Sequence, residues 1–318
     1  MDASYVRPLV GDLRQLASVR RIVLDDGAEQ GVRALAFSTG GGLDFWVMAG
    51  RTLDIGPLWS RGLPLAWQAP HGFINPAHHS PDSDAGQGLE RLLSGLLVTC
   101  GLDHVRQPSG PHPLHGRLPM TPARVMAVGE DWEAETPMLF VEGEVVQSRL
   151  GAETLRLRRR IEAPIGGTEI RILDTVANDG SRPQAHDLLY HFNLGYPGIA
   201  EGSVVELNGE RVSGPIRLPT DALPADPRCF ETGAAPEAVC VLKTPLPNGQ
   251  ALTLQLAFDT TSLPYLQLWH DLRPRCGLLA IEPCASRWLP GGTSANGPLL
   301  APGETRSYRL ALRLPAGA

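Results

Sequence analysis

Long apolar runs are absent from this chain of 318 residues. No stretch approaches the roughly 20 consecutive apolar residues that a membrane-spanning helix needs. The N-terminus also lacks a charged segment followed by an apolar one, the pattern of a secretory leader. We therefore expect a soluble, unexported protein of the cytoplasm, without a membrane partner.

Closely spaced pairs of cysteines are absent from the sequence as well. The five cysteines are irregularly spaced and form no Cys-x-x-Cys pair, which excludes a disulfide framework and a cysteine-based zinc site. A loop that contains His78, His79, Asp82 and Asp84 has the residue types of metal ligands but not their regular spacing, so a solvated loop is the favoured interpretation. The sequence predicts neither a metal nor another cofactor.

Lysine is nearly missing, because Lys243 is the only lysine among 28 basic residues. The net charge of −6 argues against the clustered basic face that nucleic-acid binding requires. Arginines between residues 156 and 160 alternate with leucine and isoleucine, which is typical of the solvated face of a strand. We expect no nucleic-acid partner.

Glycine and proline are in excess, with 35 glycines and 29 prolines. This share exceeds the usual one and predicts many turns. Short apolar stretches recur between these turns, which is the rhythm of an all-β protein. The predicted strands cover residues 20–24, 32–37, 45–48, 139–147, 154–162, 169–176, 188–194, 204–207, 238–242, 252–258, 265–269, 278–281 and 306–314. We predict a single large antiparallel β-sandwich domain over residues 1–318, with one or two short helices, one of them at residues 87–94.

The segment LLYHFNLGYP, residues 188–197, places polar groups on a predicted strand. Residues two apart share a face of a strand, so His191 and Asn193 point one way and Phe192 and Leu194 the other. Such a strand could form a pocket wall with a packed back. The alternative is a half-buried strand whose histidine faces solvent.

Four further groups supply imidazoles, guanidiniums, carboxylates and an aromatic face: Arg51 with Asp54; His71 with two later histidines; His115-Gly116-Arg117; and Trp269-His270-Asp271 leading to Glu282. Together they suit a polyhydroxylated ligand, whose hydroxyls bind charged groups and whose ring packs on an aromatic plane. Glu282 follows an apolar strand, and burial there would raise its pKa toward the range of a general base. The alternative is an exposed glutamate in a turn.

The order of these groups resembles the aldose 1-epimerase family of galactose mutarotase-like β-sandwich proteins, and in particular its DUF4432 branch. The marks are residues 51–55, 65–67, 95–102, 115–117, Asn178, 190–197 and 281–283. The resemblance implies that Glu282 takes the proton of the anomeric hydroxyl and that a histidine protonates the ring oxygen. The family typically has His-x-Tyr-Phe-Asn-Leu; here Leu189 stands at the histidine position, and His191, two residues on and on the same strand face, is the predicted acid.

The same resemblance implies substrate contacts from His115 and Arg117, and we predict further contacts from Arg51, Asp54, His71, Asn193, Trp269 and Asp271. Three hypotheses follow: a sugar 1-epimerase acting on an aldose or an acidic aldose derivative, a carbohydrate-binding or regulatory protein without efficient catalysis, or another sugar isomerase or lyase. In each, the partner is a small-molecule sugar. A homodimer is also possible.

Overall fold

The computed structural model describes residues 3–247, 249–294 and 297–315. The helices within these ranges are short: α1 (Ala3–Val6), α2 (Ser83–Gly86) and 3-10 turns at Arg7–Leu9, Leu13–Gln15, Gly27–Glu29, Pro76–His78, Gly88–Arg91 and Leu118–Met120. No helix in the described ranges is both long and apolar enough to cross a membrane.

Strands form the rest of the framework, and they are numbered in chain order. The first eleven are β1 (Ser18–Val23), β2 (Arg33–Ser38), β3 (Leu43–Met48), β4 (Asp54–Ser60), β5 (Leu63–Pro64), β6 (Leu97–Leu102), β7 (Arg124–Asp131), β8 (Met138–Ser148), β9 (Thr154–Pro164), β10 (Glu169–Asn178) and β11 (Gln184–Ala185). The others are β12 (Asp187–Leu194), β13 (Val204–Leu207), β14 (Glu210–Ser213), β15 (Arg228–Glu231), β16 (Glu237–Pro245), β17 (Ala251–Asp259), β18 (Tyr265–Asp271), β19 (Leu278–Cys284), β20 (Trp288–Leu289), β21 (Thr293–Ser294), β22 (Leu299–Leu300) and β23 (Thr305–Arg313).

These strands pair antiparallel in three main sheets. The first is β1-β2-β3-β4-β5, the second is β14-β13-β16-β17-β23-β10-β9-β8-β7, and the third is β15-β18-β19-β12-β6; two short ribbons, β11-β22 and β20-β21, complete the pairing. The largest hydrophobic cluster draws on all three main sheets, with Phe45 from the first, Leu157 from the second and Phe192 from the third. The predicted all-β class is confirmed, since strands make up 47% of the structure and helices 9%.

The helix predicted at residues 87–94 is wrong. Helix α2 ends at Gly86, and a 3-10 turn, Gly88–Arg91, follows it. Gln87 (φ −93°, ψ 14°) and Leu92 (φ −127°, ψ 8°) flank that turn and both depart from α-helical torsions, so an α-helix does not extend over residues 87–94. Leu89 and Leu92 are buried all the same, which explains their helix-like spacing in the sequence.

Alternation of buried and more exposed residues holds along the whole of β9, but one arginine of the predicted solvated face lies on the buried side. Leu155, Leu157 and Ile161 are buried, and Arg158 is exposed, as predicted. Arg159, in contrast, points inward and is 2% exposed. Its guanidinium is bound by two buried carboxylates, which explains how a charge can occupy an inward position of a strand.

Candidate active site

Strand β12 is buried along its whole length, because it pairs with β6 on one side and with β19 on the other. Its Tyr190, Phe192 and Leu194 pack in the main core. His191 is on the opposite face and is 5% exposed. The predicted division of faces is therefore present, and this histidine is not on an open surface.

Three neighbouring strands place their polar side chains in one row. Leu189 pairs with Cys284 and Phe192 with Ile281, so His191 on β12 stands opposite Glu282 on β19. Glu282 in turn pairs with Gln267 on β18. His191 Nε2 lies 3.6 Å from Glu282 Oε1.

Asn193 fixes the orientation of the His191 ring. Asn193 donates from Nδ2 to the carbonyl oxygen of Leu93 at 2.9 Å, which directs its Oδ1 toward the histidine. His191 Nδ1 is 2.5 Å from that Oδ1. Because an amide oxygen only accepts, His191 carries a proton on Nδ1, and its Nε2 is the atom that faces Glu282.

Glu282 is a buried carboxyl, 1% exposed. Gln267 donates from Nε2 to Glu282 Oε2 at 2.5 Å, which leaves Oε1 on the side of His191. Burial raises the pKa of Glu282, while the nearby His191, Arg106 and Gln267 oppose that rise. A carboxyl with a raised pKa is suited to general-base work near neutral pH.

His115 approaches the same pair from a loop. Its ring meets that of His191 edge to face, with 5.6 Å between the centroids. The main-chain N–H of Arg106 donates to His115 Nδ1 at 3.1 Å, so the proton of the neutral ring is on Nε2. Burial holds the pKa of His115 well below its usual value, and the charges of His191 and Arg106 act in the same direction. His115 is thus a neutral hydrogen-bond donor.

The backbone around His115 depends on a glycine. His115 has a φ of 58° and Gly116 a φ of 73°. A Cβ at Gly116 would lie 2.6 Å from the carbonyl oxygens of Gly101 and His104. Only glycine permits this approach, which explains the His-Gly pair of the sequence.

A cleft of about 280 Å³ opens over the row. Its lining includes His115, His191, Gln267, Trp269 and Glu282, and its rim includes Glu90, Gln107 and Asp226. A second cavity of about 240 Å³ shares five of its lining residues, so the two cavities adjoin. Taken together, the two adjoining cavities have the volume of a small-ligand site, which is about 300–1,000 Å³.

Four of the ten predicted site residues come together in this cleft: Glu282, His191, His115 and Trp269. Asn193 is 0% exposed and contacts the His191 ring rather than the open space. Arg51 and Asp54 are also buried away from the cleft. Arg51 donates to the carbonyl oxygens of Leu92 and Ser94, and so holds the segment that borders the cleft.

The remaining predicted residues lie elsewhere for identifiable reasons. Asp54 accepts from Thr99 and Arg159 and joins three sheets. Arg117 points outward to Asp82, and Asp271 is paired with Arg273. His71 is exposed and does not line the cleft. These residues therefore do not line the cleft, although each has the residue type that a sugar site uses.

Sequence reasoning missed Gln267 and Arg106. Gln267 is a polar residue in a predicted apolar strand and stands two positions before Trp269, so strand alternation could have found it. Arg106 is in an irregular loop without periodicity, and no local pattern marks it. Among residues 3–247, 249–294 and 297–315, no group of three or more His, Cys, Asp or Glu side chains could hold a metal ion.

A larger groove, about 940 Å³, lies elsewhere, beside Trp67, Tyr196 and the turn 273–277. It is mostly apolar, and none of the predicted site residues lines it.

All five cysteines are in the described part of the chain, and they are free thiols.

Comparison with known proteins places the chain in a family. The sequence profile of DUF4432, a domain of unknown function, matches residues 29–314. The chain belongs to the DUF4432 family. No curated protein matches it. Membership of this family therefore does not assign an activity to the chain.

Solved structures share the fold of this DUF4432 protein. One is a putative aldose 1-epimerase from Klebsiella pneumoniae, with a TM-score of 0.83, 19% identity, and coverage of 99% of this chain and 86% of that one. Another is a galactose mutarotase-like protein from Clostridium acetobutylicum, with a TM-score of 0.59, 14% identity, and coverage of 93% and 98%. At such identities the likeness shows the fold alone, and it confirms the galactose mutarotase-like architecture predicted from the sequence.

Proposed function

We propose that this protein is a sugar 1-epimerase, a mutarotase that interconverts the anomers of an aldose. The observation that carries the proposal is the facing pair, His191 Nε2 and Glu282 Oε1, 3.6 Å apart on adjacent strands under a sugar-sized cleft. Ring opening needs a base at the anomeric hydroxyl and an acid at the ring oxygen, and both oxygens are bound to the same carbon. A base and an acid on one sheet face, a few ångströms apart, suit that geometry.

In the proposed reaction, the Glu282 carboxylate takes the proton of the anomeric hydroxyl. The electron pair of that O–H bond forms the carbonyl, the bond between C1 and the ring oxygen breaks, and the ring oxygen takes a proton from Nε2 of the His191 imidazolium. Rotation about C1–C2 exposes the other carbonyl face. Ring closure reverses both proton transfers, so the enzyme ends in its starting state.

The other cleft residues have supporting roles. His115, as a neutral Nε2–H donor, binds a sugar oxygen without adding charge. Trp269 supplies the flat apolar wall on which a sugar ring packs. Asn193 acts through His191, since it holds Nδ1 and so keeps Nε2 available. The cytoplasmic location and the homodimer stay predictions.

Saturation-transfer NMR of anomer exchange tests the proposal over a panel of neutral and acidic sugars. We expect the wild-type protein to accelerate exchange and Glu282→Gln to lower it by at least about 100-fold, because a positioned general base contributes about that much. Glu144→Gln is the matched control, since Glu144 is a largely buried carboxylate paired with Arg156 outside the cleft. Sugar binding without faster exchange would refute the proposal and support the binding-protein hypothesis.

A further inference from the structure

Arg106 is a buried cation directly beside the candidate site. It follows β6 in an irregular loop, and it is 3% exposed. Its backbone has a φ of 75°, a conformation that non-glycine residues rarely adopt. A buried charge in a strained conformation needs strong local support, and often has a functional reason.

Every N–H group of the Arg106 guanidinium has a partner inside the protein. Nε donates to Gln267 Oε1 at 3.2 Å; Nη1 donates to Ser286 Oγ at 2.8 Å and to Ser294 Oγ; Nη2 donates to Ser286 O at 2.7 Å and to Cys284 Sγ at 3.6 Å. A guanidinium has five N–H donors, so all are used. None is left for a hydroxyl or an anionic group of a bound sugar.

The first of these bonds reaches Glu282 through one intermediary. Gln267 accepts from Arg106 with Oε1, which fixes the amide so that Nε2 donates to Glu282 Oε2. With the amide reversed, its oxygen would face the carboxylate and repel it. Arg106 therefore determines which face of Gln267 holds Glu282, and it leaves Oε1 of Glu282 directed to His191.

The main chain of Arg106 reaches the other side of the cleft. Its N–H donates to His115 Nδ1 at 3.1 Å, and its carbonyl oxygen accepts from the His115 N–H at 2.8 Å. These two bonds set both the position and the tautomer of the His115 ring. The conformation of Arg106 is what aims its N–H at that ring while its side chain turns to the sheet.

We propose that Arg106, which lines the second cavity, is a positioning residue of this cleft: it orients Glu282 through Gln267 and His115 through its main chain, while its guanidinium N–H groups stay bound within the protein. The inference rests on the proposed function only for its kinetic test. The pairwise bonds on which it is based are independent of the reaction.

The pH dependence of the site depends on all charged and titratable groups around Glu282. They are His191 from β12, Arg106 from the loop, and the thiols of Cys100 on β6 and Cys284 on its own strand, with His115, Glu90 and Asp226 around the cleft. Arg106 opposes the rise that burial causes in the pKa of Glu282. Loss of its charge should therefore move the acidic limb of the kcat/KM profile to higher pH.

Two substitutions separate the charge from the hydrogen bonds. We expect Arg106→Lys, which keeps the charge but not the planar fork, to lower kcat about 10- to 100-fold with KM within about threefold, because a misplacement of about 1 Å can cost that much. Arg106→Met should show the same loss and also the shifted acidic limb. Unchanged kcat, or a raised KM at unchanged kcat, would overturn the inference.

Arg159→Lys is the matched control, since Arg159 is 2% exposed and lies outside the cleft. It should lose stability but keep kcat per folded molecule, as measured with the folded fraction from near-UV circular dichroism. Equal losses of kcat in both lysine variants would mean that Arg106 acts only on stability.

A double-mutant cycle tests the route through Gln267. Arg106→Lys combined with Gln267→Met should be no slower than the slower single variant, because both break the same chain of bonds. If the fold-losses of kcat in the two single variants multiplied in the double variant, this route would be refuted. Gln267→Met alone also covers the case in which the arginine variants do not fold, and it should shift the acidic limb to higher pH.

NMR without substrate keeps the inference separate from the proposed function. Long-range ¹H–¹⁵N spectra should show the His115 proton on Nε2, and ¹³C carboxyl titration should give Glu282 a higher pKa in Arg106→Met than in the wild type. A proton on Nδ1 or an unchanged pKa would overturn the positioning role. Absence of anomer exchange by the wild type would instead refute only the mutarotase proposal.

Discussion

The buried arginine of β9 gives the sharpest prediction on stability. The Arg159 side chain is 1% exposed and contacts Asp174 at 2.6 and 2.9 Å and Asp54 at 3.1 Å. Both carboxylates are 0% exposed at their side chains. Arg159→Met would therefore leave two buried carboxylates without their shared cation.

We expect Arg159→Met to lower the free energy of unfolding by about 3–5 kcal/mol, the usual cost of breaking a buried pair from one side. With a urea m-value of about 3 kcal/mol/M for a large domain, the midpoint of unfolding should fall by about 1–2 M. Arg158→Met is the control, because Arg158 is the next residue of the strand and its side chain is 67% exposed. It should change stability by less than about 1 kcal/mol.

The loss should also depend on pH. Burial raises the pKa of Asp54 above 3.8, and Arg159 is the largest influence that opposes this rise. Without Arg159 the folded-state pKa rises further, so between 3.8 and that value the folded state binds more protons than the unfolded state. Stability then falls as pH rises through this window, and the difference between variant and wild type should be larger at pH 8 than at pH 5. A loss below about 1 kcal/mol at pH 8 would refute the interpretation of this cluster as a junction that requires its cation.

Two further predictions concern the cleft and its loop. Trp269→Ala should raise KM on the order of tenfold at nearly unchanged kcat, because it removes binding that the ground state and the transition state share. The control Trp269→Phe keeps an aromatic ring and should have kinetic constants close to those of the wild type. A fall in kcat alone would contradict this role. Gly116→Ala should lower stability by about 1–3 kcal/mol in urea unfolding, because its Cβ would meet the carbonyl oxygens of Gly101 and His104. The control Gly110→Ala, at a φ of 56° with open space around it, should cost no more than about 1 kcal/mol, and equal losses would show that the close approach is not what matters.

Strand positions were the predictable part of the structure. Alternation placed His191 opposite the core-facing Phe192, and an apolar run placed Glu282 on a buried strand; both features depend on local periodicity. The pairing of β12 with β19 is not local, since about 90 residues separate them. The sequence therefore indicated the two residues but not that they stand opposite each other.

Polar residue type was a poor guide to exposure. Arg51, Asp54 and Arg159 are residue types that a sugar site uses, yet in the interior Arg159 donates to Asp54 and Arg51 donates to main-chain carbonyl oxygens. A buried ion cluster and a ligand site use the same side chains, and only the partners distinguish them. Arg106 could not be predicted from the sequence, because its role depends on the geometry of a loop rather than on a sequence pattern.

In the row formed by His191, Glu282 and Gln267, the spacing of the side chains and the shape of the cleft rim depend on different parts of the fold. Adjacent strands are held about 4.8 Å apart by main-chain hydrogen bonds, so the spacing of the proposed acid and base is set by the sheet and changes little with the loops. The cleft rim, in contrast, comes from loops, including Glu90, Gln107 and Asp226. If the proposed function holds, loop sequences can therefore diverge, or be redesigned for another sugar, while the strands keep the distance between acid and base unchanged.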